Sequence, residues 1–339
     1  MFAGMASGGA KIVRFWLFPA LQGIQLGQCK PTNGQTVGLT QDLIGNVDLN
    51  IMGNLEDVVV RAQHYNLKVY LTALNGNDMK VATGSLRTYF SNLISNANGE
   101  TVCFQNNALL PLLNLLNKFN VKYPGVIYAL DLINEIEAVL NSGYFPNGWT
   151  GARSWIKNMA QFVNNYSSWL PVTSAAGWGY AVPEITFGLF SGLGLNFYDL
   201  HVYADWGQYS GETALCNKVS ADRVPIILGE YGQKSQTFDD NLQYWTTYNF
   251  INGAKNFING AKGYCFWAAL AWEYEASGAQ SQPWFTYLVL PQYCSKYPSG
   301  QSSCDSYPSL GGPPYSLCPS QTCQYPYVRP AYNVIKSPP

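Results

Sequence analysis

Two stretches of the chain decide the fold: residues 128–135 read YALDLINE, and residues 224–232 read VPIILGEYG. Each is a short apolar run that reaches a glutamate, Glu135 in the first and Glu230 in the second. A continuous apolar run of this length is typical of a strand buried on both faces, as in a parallel sheet. We therefore expect two carboxylates to lie where two parallel strands end.

Similar runs recur along the chain, at residues 12–18, 67–74, 126–133, 170–175, 197–203, 224–229 and 263–268. Amphipathic segments lie between several of them, at residues 55–66, 108–123, 152–169 and 239–259. Strands that alternate with helices predict parallel βαβ units. The fold class predicted is α/β, a (β/α)8 TIM barrel.

The first strand of that barrel is not evident at the amino end, because residues 2–10 look like the end of a helix. An open sheet edge exposes unpaired backbone groups. We therefore expect a gap or a substitute there, filled by tail residues, a partner chain or a separately encoded segment. Residues 1–4 lack the basic start of a signal peptide, which predicts a mature or trimmed form.

An open, doubly wound sheet is the competing architecture. It would carry a glycine-rich phosphate-binding turn after its first strand. Gly4, Gly8 and Gly9 precede the run at residues 12–18 instead of following it, which favours the barrel.

Two regions are predicted: a barrel over residues 1–290, and a tail over residues 291–339 that packs on it without forming a domain of its own. The tail is rich in Cys, Pro and Tyr and irregular in pattern. We expect disulfides Cys294–Cys304 and Cys318–Cys323 there, and a buried thiol at Cys265. Disulfides in turn predict a secreted protein.

The composition excludes several classes of function. The net charge is −1, so no basic face for nucleic acid is expected, and no apolar run is long enough to span a membrane. Two histidines and no CxxC pair make a metal site improbable, and no cofactor is predicted. Aromatic residues reach 15% while charged residues are 12%, which suits either sugar stacking or a tyrosine-rich secreted surface.

The two glutamates have different neighbours. Arg14 lies inside an apolar strand, where it needs a buried anion, and pairing with Glu230 would lower the pKa of that carboxylate. Glu135, among apolar and aromatic groups, is expected to have a raised pKa and to stay protonated. Asn134 is expected to bind the 2-hydroxyl of a sugar. One acid and one nucleophile are the groups that hydrolyse a glycosidic bond.

In this order the motifs resemble clan A glycoside hydrolases, family 5 in particular. The matching segments are VRFWLF with Arg14, YALDLINE with Asn134 and Glu135, YDLHVYADWG with His201 and Tyr203, VPIILGEYG with Glu230, and GYCFWA with Trp267. The resemblance covers roughly residues 1–270. It implies that Glu135 is the acid/base, Glu230 the nucleophile, Tyr203 a partner of the nucleophile, and Trp267 the platform for the sugar being cleaved.

Three segments look most like the β-mannanase branch of family 5: VRFWLF, LEDVVVRAQHYNLKVYLTALNGND and HVYADWG. An Asn-rich turn often follows strand three in that branch, as Asn75-Gly76-Asn77 does here, so mannan or glucomannan is favoured over cellulose as the polysaccharide substrate. His201 and Asn75 are expected to bind substrate with Arg14. Further candidates for sugar stacking are Trp16, Trp178, Trp206 and Trp272, each of which could equally be buried between helices and barrel. Two other functions stay open: a non-catalytic glycan-binding barrel, and a secreted structural or surface protein.

Overall fold

The fold is described from a computed structural model of the chain. The described residues are 2–7, 10–18, 24–26, 44–47, 49–96, 99–140, 147–177, 185, 187–203, 212–232, 266–271, 288–289 and 327–328.

Parallel strands follow the chain in simple order. They are β1 (Ile12–Trp16), β4 (Lys68–Asn75), β5 (Ile127–Asn134), β6 (Val172–Thr173), β7 (Ala175–Ala176), β8 (Tyr198–Tyr203), β9 (Ile226–Gly232) and β10 (Phe266–Ala271). The pairing runs β1-β4-β5-β6 and then β7-β8-β9-β10. Since β6 and β7 are two parts of one run broken at Ser174, the order confirms the parallel strands predicted from the apolar runs.

Short antiparallel pairs accompany this sheet. Strand β2 (Ile24–Leu26) pairs with β3 (Ile44–Val47), and β11 (Leu288–Val289) pairs with β12 (Tyr327–Val328).

A contact between distant strands shows that the sheet curls. Arg14 of β1 lies 2.5 Å from Glu230 of β9, while β4 to β8 lie between them in the pairing order. At a usual spacing of about 4.8 Å, a flat sheet would separate these strands by about 24 Å. The side chains of Tyr70 on β4 and Asp199 on β8 also meet across the interior. The arrangement is therefore that of a barrel and not of an open, doubly wound sheet.

Helices connect the strands. They are α1 (Phe2–Ser7), α2 (Leu49–His64), α3 (Gly76–Val81), α4 (Gly84–Ser95), α5 (Glu100–Phe104), α6 (Leu110–Lys122), α7 (Glu137–Leu140), α8 (Trp149–Tyr166) and α9 (Glu212–Asp222), with a π-helical turn at Gln105–Leu109. In α2, Leu55, Val59 and Ala62 are buried, which places them on one face toward the sheet. Helices α2, α6 and α8 confirm three predicted segments, and the segment at residues 239–259 lies outside the described residues.

The barrel interior changes from apolar to polar along the strands. One layer contains Ile12, Tyr70, Ala129, Phe197 and Ile227. Two residues further along, Arg14, Thr72, Asp131 and Asp199 form a polar layer. Because all the strands are parallel, the next residues reach the carboxyl end of the barrel together, and this is where a TIM barrel places its active site.

The amino end agrees with the sequence prediction. Residues 2–7 form helix α1 and not a strand, and no described strand pairs with the outer edge of β1. No described helix has the length and apolar character that a membrane span requires. Cys103 and Cys216 are each disulfide-bonded. The four tail cysteines, their predicted pairing and Cys265 lie outside the described residues.

Candidate active site

Arg14 holds the centre of the site. Its guanidinium donates to Oε1 of Glu230 at 2.5 Å, to Oδ2 of Asp131 at 2.7 Å, to Oδ1 of Asn134 at 3.0 Å and to the hydroxyl of Thr72 at 2.8 Å. Its side chain is only 6% exposed. The predicted pairing of this arginine with Glu230 is confirmed, and the same cation also binds Asn134, which precedes Glu135.

Glu135 sits on an unusual piece of backbone. Its φ is +50°, a left-handed conformation that is uncommon for residues other than glycine. Two glycines make room for it: a Cβ at Gly76 would lie 2.4 Å from its carbonyl oxygen, and a Cβ at Gly177 would lie 2.4 Å from its Cγ. Strain of this kind concentrates at functional sites.

The carboxylate of Glu135 lies between two polar partners. Asn77 donates from Nδ2 to Oε2 at 2.6 Å, and Nδ1 of His201 lies 3.2 Å from Oε1. Burial alone would raise the pKa of Glu135, but His201, Asn77 and Arg14 outweigh it and hold the pKa below its usual value. The predicted rise in the pKa of Glu135 is therefore wrong, because hydrogen-bond donors, and not apolar groups, surround this carboxylate.

His201 is fully buried and lies beside both glutamates. Nδ1 is 3.2 Å from Glu135 and 3.6 Å from Oε1 of Glu230, and Nε2 is 3.1 Å from a guanidinium nitrogen of Arg14. Burial disfavours the charged ring, but Glu230, Asp199 and Glu135 outweigh it and raise the pKa of His201 to about 10. The imidazole of His201 therefore lies next to the carboxylates of both Glu135 and Glu230.

The two glutamates are close. An oxygen of Glu135, an oxygen of Glu230 and a ring nitrogen of His201 all lie within 4.8 Å of one another. Such a trio has the composition of a metal site, but the guanidinium of Arg14 already contacts both Glu230 and His201. A cation held there would meet that positive charge, so the trio is better suited to acid–base chemistry than to metal binding.

Sequence reasoning missed two buried carboxylates below the glutamates. Asp131 accepts from the backbone N–H groups of Ile133 and Ala175, and burial, with the charge of Asp199, raises its pKa to about 6 against the opposing effect of Arg14. Asp199 accepts from the hydroxyl of Tyr70. The signal for Asp199 was present, because it precedes His201 by two residues and so shares its face of the strand.

Of the remaining predicted residues, Asn75 and Trp16 are partly buried at the site. Asn75 caps α3 by accepting from the backbone of Asn77 and also accepts from Asn134 at 3.2 Å. The ring of Trp16 stacks on Arg14 at 4.9 Å. Asn77, which the sequence analysis did not assign to the site, reaches Glu135 from the same turn.

The side chains of several predicted residues lie outside the described part of the chain. Tyr203 ends β8 and Trp267 lies in β10, and the side chains of both are outside the described part. Trp178, Trp206 and Trp272 lie outside the described residues.

No sequence family model matches the chain, and no curated protein matches it. Solved structures do. A β-mannanase from the blue mussel Mytilus edulis is 18% identical, with a TM-score of 0.55 over 80% of this chain and 77% of that chain. A β-1,4-mannanase from the sea hare Aplysia kurodai is 17% identical, with a TM-score of 0.56 over 80% and 78%.

A third structure, a β-1,4-D-mannanase from Cryptopygus antarcticus, is 18% identical, with a TM-score of 0.53 over 84% of this chain and 78% of that chain. At this level of identity the likeness concerns the fold. The chain therefore has the fold of these three enzymes over about four fifths of its length.

Proposed function

We propose that the chain is a retaining glycoside hydrolase, similar to those of family 5, that cleaves a β-1,4-linked polysaccharide internally. The observation that carries the proposal is the pair Glu135 and Glu230 at the carboxyl ends of two parallel strands, with Arg14 bound to Glu230. No cofactor is needed for this chemistry, since the two carboxyl groups supply both the proton and the nucleophile.

Glu230 is the nucleophile in this proposal. Its Oε1 receives a short hydrogen bond from Arg14, which fixes the direction of the carboxylate. It forms a bond to the anomeric carbon while Glu135 gives its proton to the departing glycosidic oxygen. In the second step Glu135 takes a proton from water, the water oxygen attacks the same carbon, and Glu230 is released.

The short separation of the carboxylates supports retention. Retaining enzymes place the two carboxyl groups about 5–5.5 Å apart, whereas inverting enzymes need about 6.5–9.5 Å to admit a water. Oxygens of Glu135 and Glu230 lie within 4.8 Å. The short distance between these oxygens supports the retaining mechanism that we propose.

Mannan or glucomannan is the proposed substrate, ahead of cellulose. The turn Asn75-Gly76-Asn77 after β4 supports this choice, because an Asn-rich turn at this place resembles the β-mannanase branch of family 5. The three neighbours in fold described above are named β-mannanases, which favours the same substrate. Asn134 is proposed to bind the sugar 2-hydroxyl, and Trp16, Trp178, Trp206 and Trp267 to stack on sugar rings.

The test is a reducing-sugar assay on mannan, glucomannan and carboxymethylcellulose. Wild-type protein is expected to release sugar fastest from mannan or glucomannan, and Glu135→Gln and Glu230→Gln are expected to lose turnover by several orders of magnitude. Glu56→Gln, which changes an exposed glutamate of α2 paired with Lys122, is the matched control and should keep full activity. Full activity in both site variants would overturn the assignment.

A non-catalytic glycan-binding barrel is the second candidate. It would keep the cleft but lose one carboxylate, and both positions are glutamate here. Binding to mannan without any release of sugar by wild-type protein would favour it. A secreted structural or surface protein is the third candidate, and an absence of both binding and turnover would favour that one.

We further propose that the protein is secreted and that an additional segment or chain covers the outer edge of β1. The eight cysteines and the low share of charged residues support secretion. The edge supports a covering segment because no described strand pairs with it. Slow amide exchange for outward N–H groups within residues 12–16 is expected, and fast exchange there would contradict the covered edge.

A further inference from the structure

Glu137 is a buried carboxylate that the proposed reaction does not use. It is the first residue of α7, two residues after Glu135, and it is 2% exposed. Both of its carboxylate oxygens accept from the backbone N–H of Gly177, each at 3.1 Å. Removing a carboxylate from water is costly, so a glutamate kept in this position calls for an explanation.

This contact joins two parts of the barrel at a point where the backbone ladder has ended. The described pairing between β5 and β6 ends at Asp131 with Thr173. Further along the same run, carboxylate side chains accept from backbone N–H groups: Asp131 from Ala175 at 3.0 Å, and Glu137 from Gly177. Glu137 therefore links the turn that follows β5 to the residue that directly follows β7.

The backbone of Gly177 in turn packs against the side chain of Glu135. A Cβ on Gly177 would lie 2.4 Å from Cγ, 2.6 Å from Cδ and 2.6 Å from Oε1 of Glu135. Asn77 and His201 lie 2.6 Å and 3.2 Å from the two carboxylate oxygens of the same residue. Gly177 therefore limits the rotation of a carboxylate whose polar partners hold it on other sides.

The turn between the two glutamates is short and hydrogen-bonded. Glu135 has a φ of +50°, and its carbonyl oxygen accepts from the backbone N–H of Ala138 at 3.0 Å. This turn, the hydrogen bond from Gly177 to Glu137, and the packing of Gly177 on Glu135 form a closed ring of contacts. A displacement of Gly177 would therefore reach the side chain of Glu135 directly.

On the basis of the proposed hydrolase function, we propose that Glu137 is a positioning residue for the acid/base: its bond to Gly177 keeps that backbone against Glu135 and so fixes the carboxyl group that protonates the leaving group. Glu137 exchanges no proton and forms no covalent bond in this role. Attack by Glu230 does not depend on Glu137 in the same way, because Arg14 directs the carboxylate of Glu230.

This role predicts a loss of activity that depends on the leaving group. A dinitrophenolate departs with little protonation, whereas an unsubstituted phenolate needs the general acid, which contributes about 10²–10⁴-fold to the rate. In Glu137→Ala, kcat/KM for a phenyl β-mannobioside is expected to fall by about tenfold or more. The value for the dinitrophenyl β-mannobioside should change little, because kcat/KM reports the first step of the reaction.

Asn196→Ala is the matched control. The side chain of Asn196 also accepts from a backbone N–H, that of Val172 at 2.8 Å, but it does so at the amino end of β6. The active site of a parallel barrel lies at the other end of the strands. The loss of this bond should therefore change kcat/KM for the two substrates by the same factor.

Amide exchange tests the bond itself and needs no substrate. The N–H of Gly177 is buried and hydrogen-bonded in the wild type, so slow exchange is expected there. In Glu137→Ala the exchange should be faster by about tenfold or more. Glu137→Asp, which shortens the side chain by one methylene group, decides the matter if Glu137→Ala does not fold, and the same dependence on the leaving group is expected.

The outcomes separate this proposal from a general structural role. An equal loss of kcat/KM for the two substrates in the folded variant would overturn it, because that pattern indicates a general loss of active protein. Unchanged kcat/KM for the phenyl substrate, or fast exchange of Gly177 in the wild type, would overturn it as well. A wild type in which Gly177 is protected but no glycan is turned over would count against the proposed hydrolase function.

Discussion

Arg14 of β1 and Glu230 of β9 lie 2.5 Å apart, although strands β4 to β8 separate them in the sheet. The ion pair can form only when the sheet has curled into a barrel. The curling of the sheet therefore brings the proposed nucleophile to its cation, and the pair links stability to catalysis.

Arg14→Met is expected to cost about 3–5 kcal/mol in the free energy of unfolding, because it leaves buried carboxylates without their cation. Urea denaturation measures this change. Arg61→Met is the matched control: Arg61 also pairs with an aspartate, Asp57, at 2.7 Å, but the side chains of both members of that pair are 60% exposed. Arg61→Met should have the same free energy of unfolding as wild type. Equal losses of unfolding free energy in Arg14→Met and Arg61→Met would contradict the account.

Gly177→Ala is expected to abolish most of the turnover while the protein stays folded. The new Cβ would lie 2.4 Å from Cγ of Glu135, which His201 and Asn77 hold from the other sides, so the carboxylate must move. Gly53→Ala on α2 is the control, because nothing lies within 4 Å of its added Cβ. Unchanged kcat in Gly177→Ala would mean that the placement of Glu135 is unimportant.

Asn77→Ala is expected to destabilise the protein in a pH-dependent way. Asn77 helps to lower the folded-state pKa of Glu135 below its usual 4.5, so its contribution is present above pH 4.5 and is lost as the pH falls through the folded-state pKa. The difference in unfolding free energy from wild type should be larger at pH 7 than at pH 3.

Asn164→Ala provides the comparison for that experiment. Its amide donates to the carbonyl of Gly194, which does not titrate, so its effect should be alike at both pH values. A loss in Asn77→Ala that is equally independent of pH would contradict the role given to Asn77.

Azide is expected to restore turnover to the two site variants with opposite stereochemistry. In Glu135→Ala, an activated aryl β-mannoside should still form the glycosyl-enzyme, and azide should then give the β-azide. In Glu230→Ala, azide replaces the nucleophile and should give the α-azide. Proton NMR of the products distinguishes the two, and the same anomer from both variants would show that the roles are misassigned.

Much of this site could be predicted from sequence, because strand-end residues of a parallel barrel share one location. The apolar runs located the strands, Glu135 and Glu230 followed from the ends of two of them, and Arg14 from its place inside a third. The predicted rise in the pKa of Glu135 was wrong, because a strand pattern does not show which groups of other elements surround this carboxylate. Its partners, Asn77 and His201, reach it only through tertiary packing.

Other features left weak or ambiguous signals. Asp199 lies two residues before His201, on the same face of the strand. The sequence around it is an apolar run that shows no partner for a carboxylate. A side chain at Gly177 would collide with Glu135, and one at Gly229 would collide with Asp199. Only the folded structure shows these contacts. Helices α3 and α5 escaped prediction because they are short, and α9 because it is only weakly amphipathic, so packing and not sequence pattern sets them.

Covalent trapping tests the central claim most directly. The protein is incubated with an activated 2-deoxy-2-fluoro-β-mannoside, digested, and examined by mass spectrometry with fragmentation of the labelled peptide. The account predicts one fluoromannosyl group per chain, attached to Glu230, and no label in Glu230→Gln. Turnover of mannan by wild-type protein, with the label on another residue or with release of the α-anomer as first product, would contradict it.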